Sequence, residues 1–412
     1  MGTGSALRGT ARANRLIVKL LALPAVVAVA LGAGAGLAQA YPPHDPTANW
    51  SGLDARSYSG TIPTRSGTLI QQTTLDDSLR LPGSSAAYRI LYSTPDQHGR
   101  MATSTGDVQL PQGTPPPGGW PVIAWAHGTT GLGDDCTPST YPRTERDSTY
   151  LGHWLRQGYA IVATDYAGLG TPGLMSYLNG AVAASSIVDS VKAAQQVGVP
   201  LSRTWAIVGQ SQGAGAALNG ANRASALSRG SGLDYRGVVA TGTPANIELI
   251  IGLGGPGFPP VVLPGALNTY AAYILAGFTD ARPDLHATRI LTPFGREVLA
   301  KAKVLCYTDM TNYMTGKNLN AMFSAPISSI PGAQAALTEY MGTAYSGYDR
   351  PIFLGQGLLD TDVPAPSALS LYAQMRANNQ PVELHVYPDK NHSGTVLASL
   401  PDSTPFLARI MR

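Results

Sequence analysis

Short apolar strands alternate with helical segments along most of this chain, and that alternation limits the possible fold more than any other feature. The predicted strands lie at 122–126, 160–164, 205–208, 237–240, 351–354 and 382–386, and the predicted helices at 149–157, 183–197, 214–227 and 366–377. Buried strands separated by helices form a parallel sheet that is covered on both faces. Two more strands, 88–93 and 106–110, precede the series and form a hairpin. We therefore predict an α/β fold with a mostly parallel central sheet flanked by helices.

The alternation stops near Thr243 and resumes at Arg350, which predicts an insertion between two strands of one sheet. From Leu249 to Thr279 this insertion carries no charged residue. A transmembrane helix is one interpretation, but repeated glycine and proline residues interrupt the stretch. We predict that residues 243–349 form an apolar helical cap over a binding site, with additional core as the alternative. The domain core is then 87–242 with 350–412, and the Pro-, Ser- and Gly-rich segment 41–86 is predicted to wrap the surface.

The first 40 residues have the composition of a signal peptide. A start with four basic residues precedes an apolar run, and Ala38-Gln39-Ala40 offers a cleavage site, although a permanent membrane anchor is the alternative. Four of the chain's 28 basic residues lie here with no acidic residue, so 24 basic and 25 acidic residues remain after Ala40. The basic character of the whole chain therefore belongs to this segment, and we expect export from the cell and no nucleic-acid partner.

A G-x-S-x-G motif, Gly209-Gln210-Ser211-Gln212-Gly213, follows the predicted strand 205–208 and precedes the helix that begins near Ala214. A serine on so tight a strand-to-helix turn is held in a strained conformation with its hydroxyl exposed. The helix N-terminus beside it favours developing negative charge. An ordinary glycine-rich turn is the alternative, but this context predicts that Ser211 is a nucleophile of the α/β-hydrolase fold.

A serine nucleophile needs a base and an acid, which follow it along the chain in this fold. Of the seven histidines, only His392 lies in a loop after the last predicted strand, where it can reach the carboxyl edge of the sheet. The preceding loop, after strand 351–354, carries two carboxylates, Asp360 and Asp362. A strand, a glycine and Asp-x-x-Val-Pro resemble the usual acid loop, which favours Asp360 over Asp362. The predicted triad is Ser211, Asp360 and His392.

The oxyanion formed during acyl transfer requires N–H donors that are already in place. The backbone N–H of Gln212, directly after the nucleophile, is the first predicted donor. The second comes from the loop after strand 122–126, which contains His127-Gly128-Thr129-Thr130-Gly131. His-Gly-x-x-Gly after a buried strand resembles the oxyanion loop of this fold, in which the residue after His-Gly is the usual donor, so we assign Thr129, with Thr130 as its rival. For His127 we expect a structural role.

Taken together, these residues resemble the secretory lipase family of α/β-hydrolases. The resemblance rests on the serine motif, the acid and histidine loops, the stretch from Trp125 to Gly131 with Cys136 shortly after it, and Asp165-Tyr166-Ala167-Gly168-Leu169-Gly170. It implies extracellular hydrolysis of acylglycerols and other fatty esters, with the insertion as a lid. It also implies that the reaction needs no metal and no organic cofactor, and that the enzyme contacts a lipid interface transiently.

The only cysteines are Cys136 and Cys306. In an exported protein an even number of cysteines favours a disulfide, with two buried thiols as the alternative. Given the resemblance, a bond between them would connect the cap with the rim of the active site.

Several other functions are compatible with these motifs. A short-chain carboxylesterase is the main rival, followed by an acyltransferase that passes the acyl group from Ser211 to an alcohol, and by a peptidase. A binding protein on an inactive hydrolase scaffold belongs to a different class. The uncharged stretch 249–279 favours a long acyl chain over a peptide, and the complete triad disfavours the inactive scaffold.

Overall fold

Nine strands form one sheet in the computed structural model of the protein, which describes residues 47–257 and 262–412. The strands are β1 Leu69–Thr74, β2 Ser84–Pro95, β3 Met101–Pro111, β4 Trp120–Ala126, β5 Ala160–Thr164, β6 Leu201–Gln210, β7 Asp234–Thr241, β8 Ile352–Gly357 and β9 Val382–Tyr387. Their order across the sheet is β1-β2-β3-β5-β4-β6-β7-β8-β9. The pairs β1-β2, β2-β3 and β3-β5 are antiparallel. All pairs in the rest of the sheet, β5-β4-β6-β7-β8-β9, are parallel. The predicted fold class is confirmed. The proposed signal peptide, residues 1–40, lies outside the described residues.

The helices lie between the strands and within the insertion. They are α1 Glu145–Arg156, α2 Gly180–Ala194, α3 Gln212–Leu227, α4 Glu248–Ile251, α5 Gly265–Ala281, α6 Pro293–Ala302, α7 Tyr307–Met314, α8 Ala333–Met341, α9 Pro366–Ala377, α10 His392–Ala398 and α11 Leu400–Ile410. Five of them, α4 to α8, belong to the stretch between β7 and β8. The uncharged stretch is thus divided between two helices, and none of the described helices is long and apolar enough to cross a membrane.

Both faces of the central strands are buried, because successive side chains of a strand point to opposite sides. Along β4, Val122 and Ala124 belong to the apolar cluster that contains α2 and α3, whereas Ile123 and Trp125 belong to the cluster that contains α1 and α11. The first cluster also includes buried residues of α5 to α8. The insertion therefore shares a continuous core with one face of the sheet.

Part of the segment predicted to wrap the surface is instead a strand of the sheet. Residues 69–74, with the sequence Leu-Ile-Gln-Gln-Thr-Thr, form β1 at the edge and pair with β2. None of its six residues is fully buried, so the apolar alternation used for the prediction is absent here.

Candidate active site

Ser211 occupies the turn between β6, which ends at Gln210, and α3, which begins at Gln212. Its φ of 59° and ψ of −125° are unusual for a residue with a side chain. The turn is held by the backbone N–H of Ser211, which donates to the carbonyl oxygen of Thr241 at 2.9 Å. Such strain persists only where the surroundings enforce it, and it is common at active sites. The structure thus places Ser211 at the positive end of a buried helix.

The two glycines of the motif allow α3 to lie close to the sheet. A Cβ atom on Gly209 would collide with the carbonyl oxygen of Gly213, and one on Gly213 would collide with the carbonyl oxygen of Ala126. All these obstacles are backbone atoms, which cannot move aside without shifting a strand or the helix. Glycine at both positions is therefore a steric requirement of the turn.

His392 and Asp360 are joined by a short hydrogen bond, in which Nδ1 of His392 lies 2.7 Å from Oδ2 of Asp360. The other carboxylate oxygen of Asp360 accepts the backbone N–H groups of Asp362 at 3.0 Å and Val363 at 2.8 Å. Both side chains are buried. Asp360 is thereby held in one orientation, and its remaining oxygen points at the imidazole.

The charges around the imidazole favour its protonated form. Burial alone lowers the pKa of His392, but the negative charge and hydrogen bond of Asp360 outweigh burial, so that the pKa lies above its usual value. Asp362 acts in the same direction, and Arg146 opposes it. Burial also raises the pKa of Asp362 itself, an effect that the nearby His392 reduces.

The loop after β4 lies directly against the nucleophile. A Cβ atom on Gly128 would stand 3.6 Å from the Cβ atom of Ser211. Thr129 follows, and its hydroxyl lies 2.6 Å from the hydroxyl of Tyr177. The N–H of Gln212 has no acceptor within α3, because the first N–H groups of a helix have no intrahelical partner. The two residues predicted as oxyanion donors therefore belong to segments that meet at Ser211.

His127 is tied to the backbone around it. Its Nδ1 lies 2.6 Å from the carbonyl oxygen of Gly128, its Nε2 lies 3.4 Å from that of Asp165, and its ring packs on Tyr166 at a centroid distance of 4.4 Å. Tyr166 also donates its hydroxyl to the carbonyl oxygen of His127 at 3.2 Å. These contacts fix the start of the loop that carries Thr129, consistent with the structural role expected for His127.

The insertion is attached to that same loop. The predicted disulfide between Cys136 and Cys306 is present. Beside it, Gly131 pairs with Cys306 in an isolated β-bridge, and the backbone N–H of Tyr307 donates to the carbonyl oxygen of Thr130 at 2.8 Å. One covalent bond and a short backbone ladder therefore connect α7 with the rim of the site.

Two residues that the sequence analysis did not single out contact the imidazole or its neighbour. The side-chain nitrogen of Gln210 lies 2.9 Å from Nε2 of His392, and Nη2 of Arg146 lies 3.3 Å from the side-chain oxygen of Gln210. Gln210 lies within the motif that identified Ser211, but the sequence does not show which distant residue its side chain contacts. The contacts span 182 and 64 residues of sequence, a separation that no local pattern reports.

The arrangement provides the parts of an acyl-transfer site: a hydroxyl, an imidazole with a carboxylate partner, and backbone donors beside them. Among residues 47–257 and 262–412, no group of three or more His, Cys, Asp or Glu side chains is placed to hold a metal ion.

The sequence matches the family described as secretory lipase over residues 138–407, well over half of the chain. No curated protein matches the chain significantly. Among solved structures, lipase A of Candida antarctica in its closed state shares 18% identity with a TM-score of 0.67, and the match covers 85% of this chain and 84% of that one. The rice cell wall degrading esterase LipA of Xanthomonas oryzae shares 20% identity with a TM-score of 0.67, covering 85% and 99%.

At these identities the two structures establish likeness of fold only, whereas the family match extends through the serine motif and both loops that carry Asp360 and His392. The chain therefore belongs to the secretory lipase family, and it is a carboxylic ester hydrolase of the α/β-hydrolase fold.

Proposed function

We propose that the protein is a secreted lipase that cleaves acylglycerols or other fatty acyl esters through an acyl-enzyme on Ser211. The observation that carries the proposal is the buried pair of His392 and Asp360, 2.7 Å apart, beside a serine held in a strained turn at a helix N-terminus. Such a group of residues has the chemistry for nucleophilic attack on an ester carbonyl.

The proposed reaction has two halves. Nε2 of His392 takes the proton of the Ser211 hydroxyl as the oxygen attacks the carbonyl carbon, while the N–H groups of Thr129 and Gln212 bind the oxyanion. His392 then protonates the leaving alcohol, and the acyl group remains on Ser211. Water, deprotonated by His392, attacks the acyl-enzyme and releases the carboxylic acid. Asp360 orients the imidazole and stabilises its charged form without taking the proton.

A small, mostly apolar cavity lies beside the start of α3. Gln212 lines this cavity together with the apolar residues Met175, Leu178, Val182, Ala216 and Met341 and the polar residues Ser176, Asn179 and Asn219. Transfer of an apolar group from water to such a lining is the main source of affinity for fatty groups. Because Met341 belongs to α8, the insertion contributes to this wall, in line with the proposed role of residues 243–349 as a cap.

The outer side of the insertion offers apolar contacts for a lipid interface. Leu249, Leu253 and Val262 are 42%, 46% and 58% exposed, and all three lie in the uncharged stretch 249–279. Exposed apolar side chains mark a binding region when they form a contiguous patch. We propose that this side touches lipid transiently during catalysis.

The composition of residues 1–40 and the secretory family support export, with the mature enzyme beginning at Tyr41. The disulfide is in keeping with an oxidising compartment.

The test is an assay of the chain from Tyr41 on p-nitrophenyl esters of increasing acyl length and on an emulsified triglyceride. We expect activity to persist on long chains and on the emulsion, and kcat to fall on the order of 10⁶-fold in Ser211→Ala. Ser346→Ala, an exposed serine remote in sequence from the motif, is the matched control and should retain full activity. Activity limited to acetate and butyrate would instead make the protein a short-chain carboxylesterase. No hydrolysis of any ester would favour an acyltransferase.

A further inference from the structure

The imidazole nitrogen that the reaction needs is already occupied in this structure. Nε2 of His392 faces the side-chain amide of Gln210 at 2.9 Å. Among the described residues, no hydrogen bond joins Oγ of Ser211 to that nitrogen. Gln210 is buried, so its amide cannot exchange this partner for bulk water. The resting site thus contains a second group that competes with the Ser211 hydroxyl for the same lone pair.

The amide of Gln210 can be oriented in only one way. Its oxygen lies 3.3 Å from Nη2 of Arg146, and a guanidinium has donors but no acceptor. Arg146 is itself held by Asp147, whose carboxylate lies 2.8 Å from Nε of Arg146. The amide oxygen therefore faces Arg146, and the NH₂ group faces His392.

This orientation determines which form of the imidazole is present. An amide NH₂ can only donate, so Nε2 of His392 must accept and carry no proton. Nδ1 then carries the proton and donates to Asp360 at 2.7 Å. In this neutral tautomer, Nε2 of His392 is free of a proton and can act as the base that takes the proton of Ser211.

Gly128 also lies close to this amide. A Cβ atom on Gly128 would stand 2.7 Å from the side-chain oxygen of Gln210. Gly128, Arg146 and His392 therefore all lie against the amide. The loop after β4, which borders Ser211, therefore also contacts the side chain of Gln210.

We infer that Gln210 is a positioning residue, which holds His392 in its neutral, Nδ1-protonated form before substrate binds and yields Nε2 to the Ser211 hydroxyl during attack. The inference rests on the proposed function, because it assigns a task within that triad. No covalent step is added: the hydroxyl of Ser211 replaces the amide as the donor to Nε2, and its proton then moves to that nitrogen.

The consequence is a defined change in pH dependence. The hydrogen bond from Gln210 exists only with the neutral imidazole, so it opposes Asp360 and Asp362, which favour the charged form, and acts in the same direction as Arg146. In Gln210→Met the donor is lost, and the acid limb of kcat/KM should move to higher pH by about half a unit to one unit, as expected for one neutral hydrogen bond. In Gln210→Glu a carboxylate would accept from Nε2–H, and the limb should move further in the same direction.

The experiment measures kcat/KM on one p-nitrophenyl ester across the pH range for the wild type, both Gln210 variants and Gln112→Met, an exposed glutamine that controls for the substitution itself. We expect the acid limbs to fall in the order wild type, Gln210→Met, Gln210→Glu, with Gln112→Met identical to wild type. A merely structural role would lower activity in both Gln210 variants without moving the limb, and that result would overturn the inference.

An NMR titration of the His392 ring, assigned with His392→Gln, gives a readout that does not require activity. If the wild type hydrolyses no ester, the proposed function fails, while the titration still shows whether Gln210→Met raises the pKa of His392. An unchanged titration in a folded Gln210→Met protein would overturn the inference, even if ester hydrolysis by Ser211 stands.

Discussion

Asp360 and Asp362 lie two residues apart in one loop, yet their carboxylates have different neighbours. Asp360 accepts two backbone N–H groups on one oxygen and His392 on the other. One of those N–H groups belongs to Asp362, so the backbone of the second residue helps to hold the carboxylate of the first. Asp362 is close enough to His392 to favour its charged form, and burial raises the pKa of Asp362.

Substituting each of the two carboxylates by its amide separates their roles. Asp360→Asn should lower kcat on the order of 10³–10⁴-fold, because an amide at this position can stabilise the wrong imidazole tautomer and cannot stabilise the imidazolium. Asp362→Asn, the matched control, should change kcat by less than about tenfold, since a nearby charge contributes less than a hydrogen-bonded partner. The measurement is steady-state hydrolysis of one ester by both variants. A larger loss in Asp362→Asn would assign the acid to Asp362.

At the scale of single residues, a local motif after a strand is enough to predict a site residue. Residues that matter through contacts with a distant segment are missed. Ser211, His392 and Asp360 each stand at a recognisable place after a strand, and the structure brings the three segments together. Gln210 and Tyr177 carry no such mark. Their contacts with His392 and Thr129 depend on how distant segments pack, and only the folded chain specifies that.

At the scale of elements, the turn between β6 and α3 is the most constrained part of the site. Gly213→Ala should destabilise the protein by about 4 kcal/mol or more, because the new Cβ atom would collide with the backbone of Ala126. Gly257→Ala is the control, since a Cβ atom there would meet no atom of the described residues within 4 Å, and it should cost less than about 0.5 kcal/mol. Urea unfolding followed by circular dichroism measures both. Equal stability of the two variants would contradict the steric account.

Periodicity predicts the central strands and the helices between them, and it fails where tertiary contacts override local signals. The edge strand β1 was missed because its side chains do not alternate. The last helix, α11, begins at Leu400 and contains Pro405, a residue that disfavours a helix interior. Phe406 and Leu407 are buried against the sheet, and this packing offsets the hydrogen bond that Pro405 cannot make.

For the molecule as a whole, the disulfide and the bridge beside it connect two regions that are 170 residues apart. Replacing Cys136 and Cys306 together by alanine should lower the free energy of unfolding by about 2–5 kcal/mol, mainly because the unfolded chain gains freedom. Thermal unfolding of wild type and variant measures the loss. Reductant should lower the unfolding temperature of the wild type toward that of the variant and leave the variant unchanged. An unfolding temperature of the wild type that does not respond to reductant under denaturing conditions would argue against the bond.

The arrangement of the whole molecule follows from sequence only in part. The interrupted alternation predicts that one domain contains an insertion, and the structure has helices α4 to α8 at that place. How these helices pack was not predictable, because an uncharged stretch gives no polar face that would orient it. Its apolar residues fit many packings equally well, and the sheet beneath selects one of them.

The attachment of the loop that carries Thr129 to α7 also bears on when the enzyme becomes active. In a reducing cytoplasm Cys136 and Cys306 stay as thiols. The loop and the insertion then lose their covalent link, while the Gly131 bridge and the hydrogen bond from Tyr307 to Thr130 remain. We expect the loop with the proposed oxyanion donor Thr129 to be less well ordered in that state. Under the proposed export, the enzyme would thus reach full activity only outside the cell, and the lipids of the producing cell would be protected from it.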